Sequence, residues 1–195
     1  MRSNVLTKSC LAAGVVFAGA TANGAFLQYT ATLDGPSEAP PNASPGTGFA
    51  TIDFDTTLHT MHIHVTFSGL LGNVTASHIH SATAAPGTGT AGVATTLPTF
   101  AGFPLGVTSG VYDNTLDMTL ASSWNPAFVT ANGGTTASAE TAFLSGIAAG
   151  KAYLNIHTSV VGGGEIRGFL VAVPAPSSLS LLGVGGLVAA RRRRN

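Results

Sequence analysis

The chain has 195 residues, of which 8% are charged and 45% hydrophobic, with 25 glycines. Sparse charge with abundant apolar content excludes a disordered acidic or basic protein. The formal net charge of zero conceals a segregation: between Phe26 and Val173 the basic residues are Lys151 and Arg167 alone, against eight acids, so that region carries −6 with neutral histidines. A domain of that sign does not bind nucleic acid by neutralising phosphates, but it attracts cations.

Residues 1–25 read as a secretory signal peptide, which would pass through the Sec translocon. Arg2 and Lys8 form its charged region, Leu11 to Ala20 its apolar region, and Ala20-Thr21-Ala22 a small-x-small cleavage site, with Ala25 as a later alternative. The sole cysteine, Cys10, lies in this leader, so the domain beyond it forms no disulfide and folds by its core alone or with the help of a metal. Phe26 to Leu33 reads as a strand ending at Asp34-Gly35, followed by a turn-rich loop from Pro36. Gly48 to Asp55 is a second strand. In the third, Leu58 to Phe67, the apolar Met61, Ile63, Val65 and Phe67 alternate with His62, His64 and Thr66, the period of a half-buried strand. Gly69 to Asn73 reads as a turn into a fourth strand, Val74 to His80; if strands three and four form an antiparallel hairpin, their histidine faces can coincide.

From Ala82 to Leu105 the composition predicts a long loop with a short strand near Gly92 to Leu97. Gly110-Val111-Tyr112 and Leu116 to Leu120 read as two hairpin arms about Asp113-Asn114, and Trp124 and Phe128 as loop anchors. Ser138 to Gly150 is the one predicted helix, with Ser138 as its cap and Gly150 as its end. Two final strands, Ala152 to Thr158 and Glu165 to Val171, are joined across Gly162-Gly163-Gly164. The pattern predicts an all-β fold: an antiparallel β-sandwich or partly closed Greek-key barrel with one short helix. A signal helix would precede it and a transmembrane segment follow it.

The last 23 residues, 173–195, begin Val173-Pro174-Ala175-Pro176, continue through an apolar, glycine-bearing segment, and end in Arg191, Arg192, Arg193, Arg194 and Asn195. By the positive-inside rule the arginines stay cytoplasmic and the domain lies outside. This order of Pro-x-Pro, apolar segment and arginine cluster resembles the PEP-CTERM sorting signal of exopolysaccharide-producing Gram-negative bacteria. Here Ala175 stands where that signal usually has Glu. The resemblance implies a temporary inner-membrane anchor cut by an exosortase-like protease, with a permanent C-terminal anchor as the alternative, and an exopolysaccharide matrix or outer envelope as destination.

The domain between the two ends, residues 26–172, resembles the CHRD domain named from chordin. The resemblance rests on Thr32-Leu33-Asp34-Gly35 with Glu38-Ala39-Pro40-Pro41, Gly46-Thr47-Gly48, Ser77-His78-Ile79-His80, Gly150 to Thr158 with its Asn155-Ile156-His157-Thr158, and Gly163-Gly164-Glu165-Ile166-Arg167-Gly168. It implies a secreted β-sandwich domain without an assigned activity.

The chemistry resides in the histidines. A strand period of two puts His78 and His80 on one face with Ile79 on the other, and His62 and His64 likewise share a face. His157 shares a face with Asn155 and Tyr153, while the parity of His59 points it elsewhere. Neutral imidazoles on neighbouring rigid strands suit copper or zinc. His78, His80 and His157 are the leading ligand set, with His62, His64 and Glu165 as further candidates; Glu165 would be a ligand or would hold a histidine tautomer. No Gly-x-Ser-x-Gly elbow and no phosphate-loop Lys is present, which argues against a serine hydrolase or a nucleotide site. The sequence therefore predicts an exported envelope or matrix binding domain that can take copper or zinc. The alternatives are a metal-dependent redox or hydrolytic enzyme using the same histidines, and a structural matrix adhesin without metal.

Overall fold

The computed structural model describes residues 26–174. The leader with Ala22 and Ala25, and the tail from Ala175 through the arginines, lie outside the described residues. Among the described residues no helix is long and apolar enough to cross a membrane.

The described residues form eight strands. They are β1 (Phe26–Asp34), β2 (Thr47–Asp55), β3 (Thr60–Ser68), β4 (Val74–His80), β5 (Gly110–Asp117), β6 (Tyr153–Thr158), β7 (Ile166–Phe169) and β8 (Val171–Ala172). All belong to one antiparallel sheet of order β4-β6-β7-β1-β2-β3-β5, with β8 beside β1. The architecture is thus the partly closed alternative, a curled half-barrel, and not two separate stacked sheets. The irregular segment between β4 and β5 lies along the outer edge of β4: Ala94 N–H donates to Ile79 O at 2.9 Å, Phe100 N–H to Ser77 O at 3.0 Å and Gly106 N–H to Val74 O at 2.9 Å. That segment then runs into β5, and it covers an edge that would otherwise expose unpaired backbone groups.

The inner face holds the core. Alternate residues Ala50, Ile52 and Phe54 of β2 and Met61, Ile63 and Val65 of β3 are buried, as are Ile79 of β4, Leu154 and Ile156 of β6 and Ile166 of β7. Two helices, α1 (Pro126–Ala131) and α2 (Thr136–Ala148), contribute to this core. Phe143 of α2 meets Phe54 edge-on at 6.0 Å and Trp124 at 5.5 Å, while Trp124 stacks on Phe128 at 6.0 Å. The indole N–H of Trp124 donates to Met118 O at 2.9 Å, so its one polar atom is satisfied inside the core.

Five local expectations are corrected. Strands β3 and β4 do not pair: β3 lies between β2 and β5, and β4 pairs with β6. The eight-pair ladder of β3 with β5 occupies the edge that such a hairpin would have used. Asp113 and Asn114 lie inside β5 and not at a hairpin tip, because that ladder overrides their turn preference. The strand expected near Gly92 to Leu97 is reduced to isolated bridges from Val93 to His80 and from Thr95 to Trp124. Helix α2 begins two residues early: Thr135 caps it, and Ser138 occupies the third helical position of a reciprocal capping box. Helix α1 was not anticipated, although Asn125 as cap with Pro126 at the first position is a helix-start signal.

One buried carboxylate ties the half-barrel to its loops. Glu165, fully buried, accepts from Ser44 Oγ at 2.6 Å, Thr158 Oγ1 at 2.6 Å, Leu71 N–H at 2.6 Å and Gly72 N–H at 3.2 Å. Burial alone would raise its pKa, but these bonds outweigh burial and hold the carboxyl below its ordinary value. Replacing Glu165 by Ala orphans four donors, so Glu165→Ala is expected to lower unfolding free energy at neutral pH by about 3–5 kcal/mol. Urea denaturation checks this; a loss under about 1 kcal/mol would contradict the anchoring role.

Candidate metal centre

The pairing of β4 with β6 and of β6 with β7 builds the site on the outer face of the sheet. His80 lies opposite Tyr153, His78 opposite Asn155 and Ala76 opposite His157. Across the next ladder Tyr153 faces Phe169 and Asn155 faces Arg167. Directly opposed residues share a face, so His78, His80, His157, Asn155, Tyr153, Arg167 and Phe169 form one patch.

The three imidazoles converge. Each offers one ring nitrogen, and these atoms all lie within 4.8 Å of one another. The other ring nitrogen of each is committed to a backbone carbonyl: His78 Nδ1 to Pro98 O at 3.3 Å, His80 Nδ1 to Ala91 O at 2.7 Å and His157 Nδ1 to Gly162 O at 2.9 Å. A carbonyl only accepts, so each Nδ1 donates a proton to its carbonyl and Nε2 is the nitrogen left to face the neighbouring rings. Two of these atoms, His78 Nε2 and His157 Nε2, stand 3.0 Å apart. The third, His80 Nε2, is buried without a hydrogen-bond partner.

Burial, then the neighbouring His80 and His157, push the His78 pKa down to about 3. Burial likewise lowers that of His80. Neutral imidazoles held by carbonyls at Nδ1 and aimed inward at Nε2 are the form in which histidine ligates metal.

The surroundings fix the rings. His80 stacks on Tyr153 with centroids 4.6 Å apart and planes at 7°. Arg167 lies over the Tyr153 ring at 4.7 Å. Its Nη1 donates to Gly89 O at 2.9 Å and its Nε to Ser37 O. One guanidinium thereby holds two loops over the patch, including the one that supplies the Ala91 carbonyl. Glu38, 3.8 Å from Arg167, is also buried, and its Oε1 has no hydrogen-bond partner. Burial pushes the Glu38 carboxyl up to about 7, against the opposing pull of Arg167 and of the Ala39 N–H.

Of the sequence candidates, the structure brings His78, His80 and His157 together. His62 and His64 stand apart on β3, where both contact Asp113 of β5, at 3.0 Å and 2.8 Å. They cannot join the other histidines because β3 does not neighbour β4 or β6. Glu165 does not reach the cluster either, its two oxygens being taken by Ser44, Thr158, Leu71 and Gly72. His59 points elsewhere, as its parity suggested, with Nδ1 2.8 Å from Glu140 of α2. The carbonyls of Ala91, Pro98 and Gly162, and Glu38 with Arg167, were not singled out from sequence as parts of the site. Strand alternation through Tyr153, Asn155 and His157 was visible; the loop carbonyls had no signal.

An antiparallel half-barrel carrying three convergent histidines on its outer face defines an all-β domain with a candidate metal centre. The chain belongs to the CHRD domain family, whose profile matches residues 29–170. Domains of this family are typically extracellular binding modules and not a known enzyme family. No curated protein and no solved structure matches the chain.

Glu38 gives the domain a measurable pH dependence. A carboxyl whose folded pKa is raised contributes stability that is fully present below its unfolded value near 4.5 and lost as pH rises through about 7. The expected loss between about pH 5 and pH 8 is at most about 3 kcal/mol. Glu38→Gln should flatten that part of the stability–pH curve, measured by thermal or urea unfolding. An unchanged slope would contradict it.

Proposed function

We propose that this protein is an exported envelope or extracellular-matrix binding domain that holds one zinc or copper ion through Nε2 of His78, His80 and His157. The observation that carries the proposal is the arrangement of three rings, each tied at Nδ1 to a backbone carbonyl, with one nitrogen of each within 4.8 Å of the others. Ligands at about 2.0–2.1 Å from zinc lie about 3.3 Å from each other in a tetrahedron, so the His78–His157 pair at 3.0 Å is already near that spacing, and the cluster as a whole, within 4.8 Å, closes on the ion by side-chain rotation. Imidazole nitrogen suits zinc and copper better than calcium or magnesium, which take oxygen. The acidic balance of the domain, two basic residues against eight acids, favours cation uptake.

The two ends give the delivery route. The leader directs the chain to the Sec translocon. The tail of Val173, Pro174, Ala175 and Pro176, apolar segment and Arg191 to Arg194 serves as an inner-membrane anchor until an exosortase-type protease removes it. The released domain then resides in the outer envelope or an exopolysaccharide matrix.

Elemental analysis of the protein recovered from a periplasm, produced without a histidine tag, tests the metal. About one equivalent of zinc or copper is expected, and His78→Ala/His80→Ala should retain under about a tenth of it. Full stoichiometry in the double variant, or no metal in the parent after incubation and desalting, would overturn the proposal.

A further inference from the structure

Asn155 stands at the middle of the histidine patch. It lies directly opposite His78 on one side and Arg167 on the other, and two residues along its own strand from His157 and Tyr153. It is 2% exposed, and its Oδ1 is buried without a hydrogen-bond partner. A central strand rarely leaves an amide oxygen in that state, because an unmet buried acceptor costs about 1–3 kcal/mol.

The amide has a direction. Its Nδ2 is turned toward Gly164, where a Cβ would come within 2.9 Å of it and would also run into Glu38 Oε1. Turning the amide over would set an acceptor toward that carboxyl oxygen, itself without a partner. Oδ1 is left for the histidine side, across the ladder from His78, and both Oδ1 and His80 Nε2 are buried without a hydrogen-bond partner. Two unpartnered acceptors on one face of adjacent strands are placed as two ligands of one ion are placed.

We infer that Asn155 Oδ1 supplies the fourth ligand of the centre, closing it as a three-nitrogen, one-oxygen site. The inference rests on the proposal that the three imidazoles hold the ion. An amide oxygen is a harder donor than thiolate or thioether, so the set selects zinc(II) or copper(II) over copper(I). A site filled by four protein ligands leaves no position for an outside molecule, the condition of a structural or storage centre.

The experiment compares the exported protein with Asn155→Ala and Asn155→Asp, using zinc(II) and copper(II) as the metals and azide as the probe of an open position. Expected for Asn155→Ala is a loss of zinc affinity of at least tenfold, an apo melting temperature unchanged or raised, and an azide-dependent band in the copper form that the parent lacks. Asn155→Asp keeps an oxygen in place, so it should bind zinc more tightly than the parent and remain insensitive to azide. Parental affinity in Asn155→Ala, azide binding by the parent, or an affinity loss matched by an equal fall in apo stability would overturn the inference. If Asn155→Ala does not fold, the aspartate variant decides: an unchanged affinity and copper spectrum would also overturn it. Metal uptake that depends on the histidines but not on Asn155 sinks this inference alone; no uptake by the parent sinks the histidine proposal with it.

Discussion

The pairing of β4 with β6 is the constraint on which the site depends. Its register sets His78 beside Asn155 and brings His157, 79 positions away in sequence, to 3.0 Å from His78. The same ladder keeps Ile79 and Leu154 on the inner face, where both are fully buried. A slip of one residue would reverse both faces together, sending the imidazoles into the core and the aliphatic side chains out. Core packing and ligand placement are thus specified by one register.

The loops complete what the sheet begins. An imidazole on a strand can rotate and can carry its proton on either nitrogen. Here the carbonyls of Ala91, Pro98 and Gly162 fix the proton on Nδ1. Buried charge holds loops in turn: Arg167 bonds to Ser37 and to Gly89, two residues from Ala91, and Glu165 bonds to Ser44, Leu71, Gly72 and Thr158. Arg167 and Glu165 serve separate purposes, one over the Tyr153 ring of the histidine patch and one among the backbone and hydroxyl donors of Ser44, Leu71 and Gly72. The cost of burying them is offset by multiple hydrogen bonds, the condition under which buried charge is tolerated.

Much of the fold is legible from residue pattern because strand alternation is a local property. The buried–exposed alternation of β3 matches that of Met61 to Phe67 residue by residue, and the bounds of β4 coincide with the stretch Val74 to His80. Local turn preference was less informative where a ladder could override it, as at Asp113-Asn114. The Asn125-Pro126 pair shows the opposite case, a helix start whose signal was present and was outweighed by its resemblance to a loop.

The sequence by itself determined which residues share a strand face, that no disulfide supports the domain, and that His78 and His80 point the same way. These follow from the period of two and from composition, which need no knowledge of neighbours. Which strands lie side by side was decided only by the tertiary structure. Hence His157 joins His78 and His80, while His62 and His64, in an equally good pattern, meet Asp113 instead. Strand pairing depends on which ladder buries more surface and satisfies more backbone groups across the whole chain, and no local window contains that comparison.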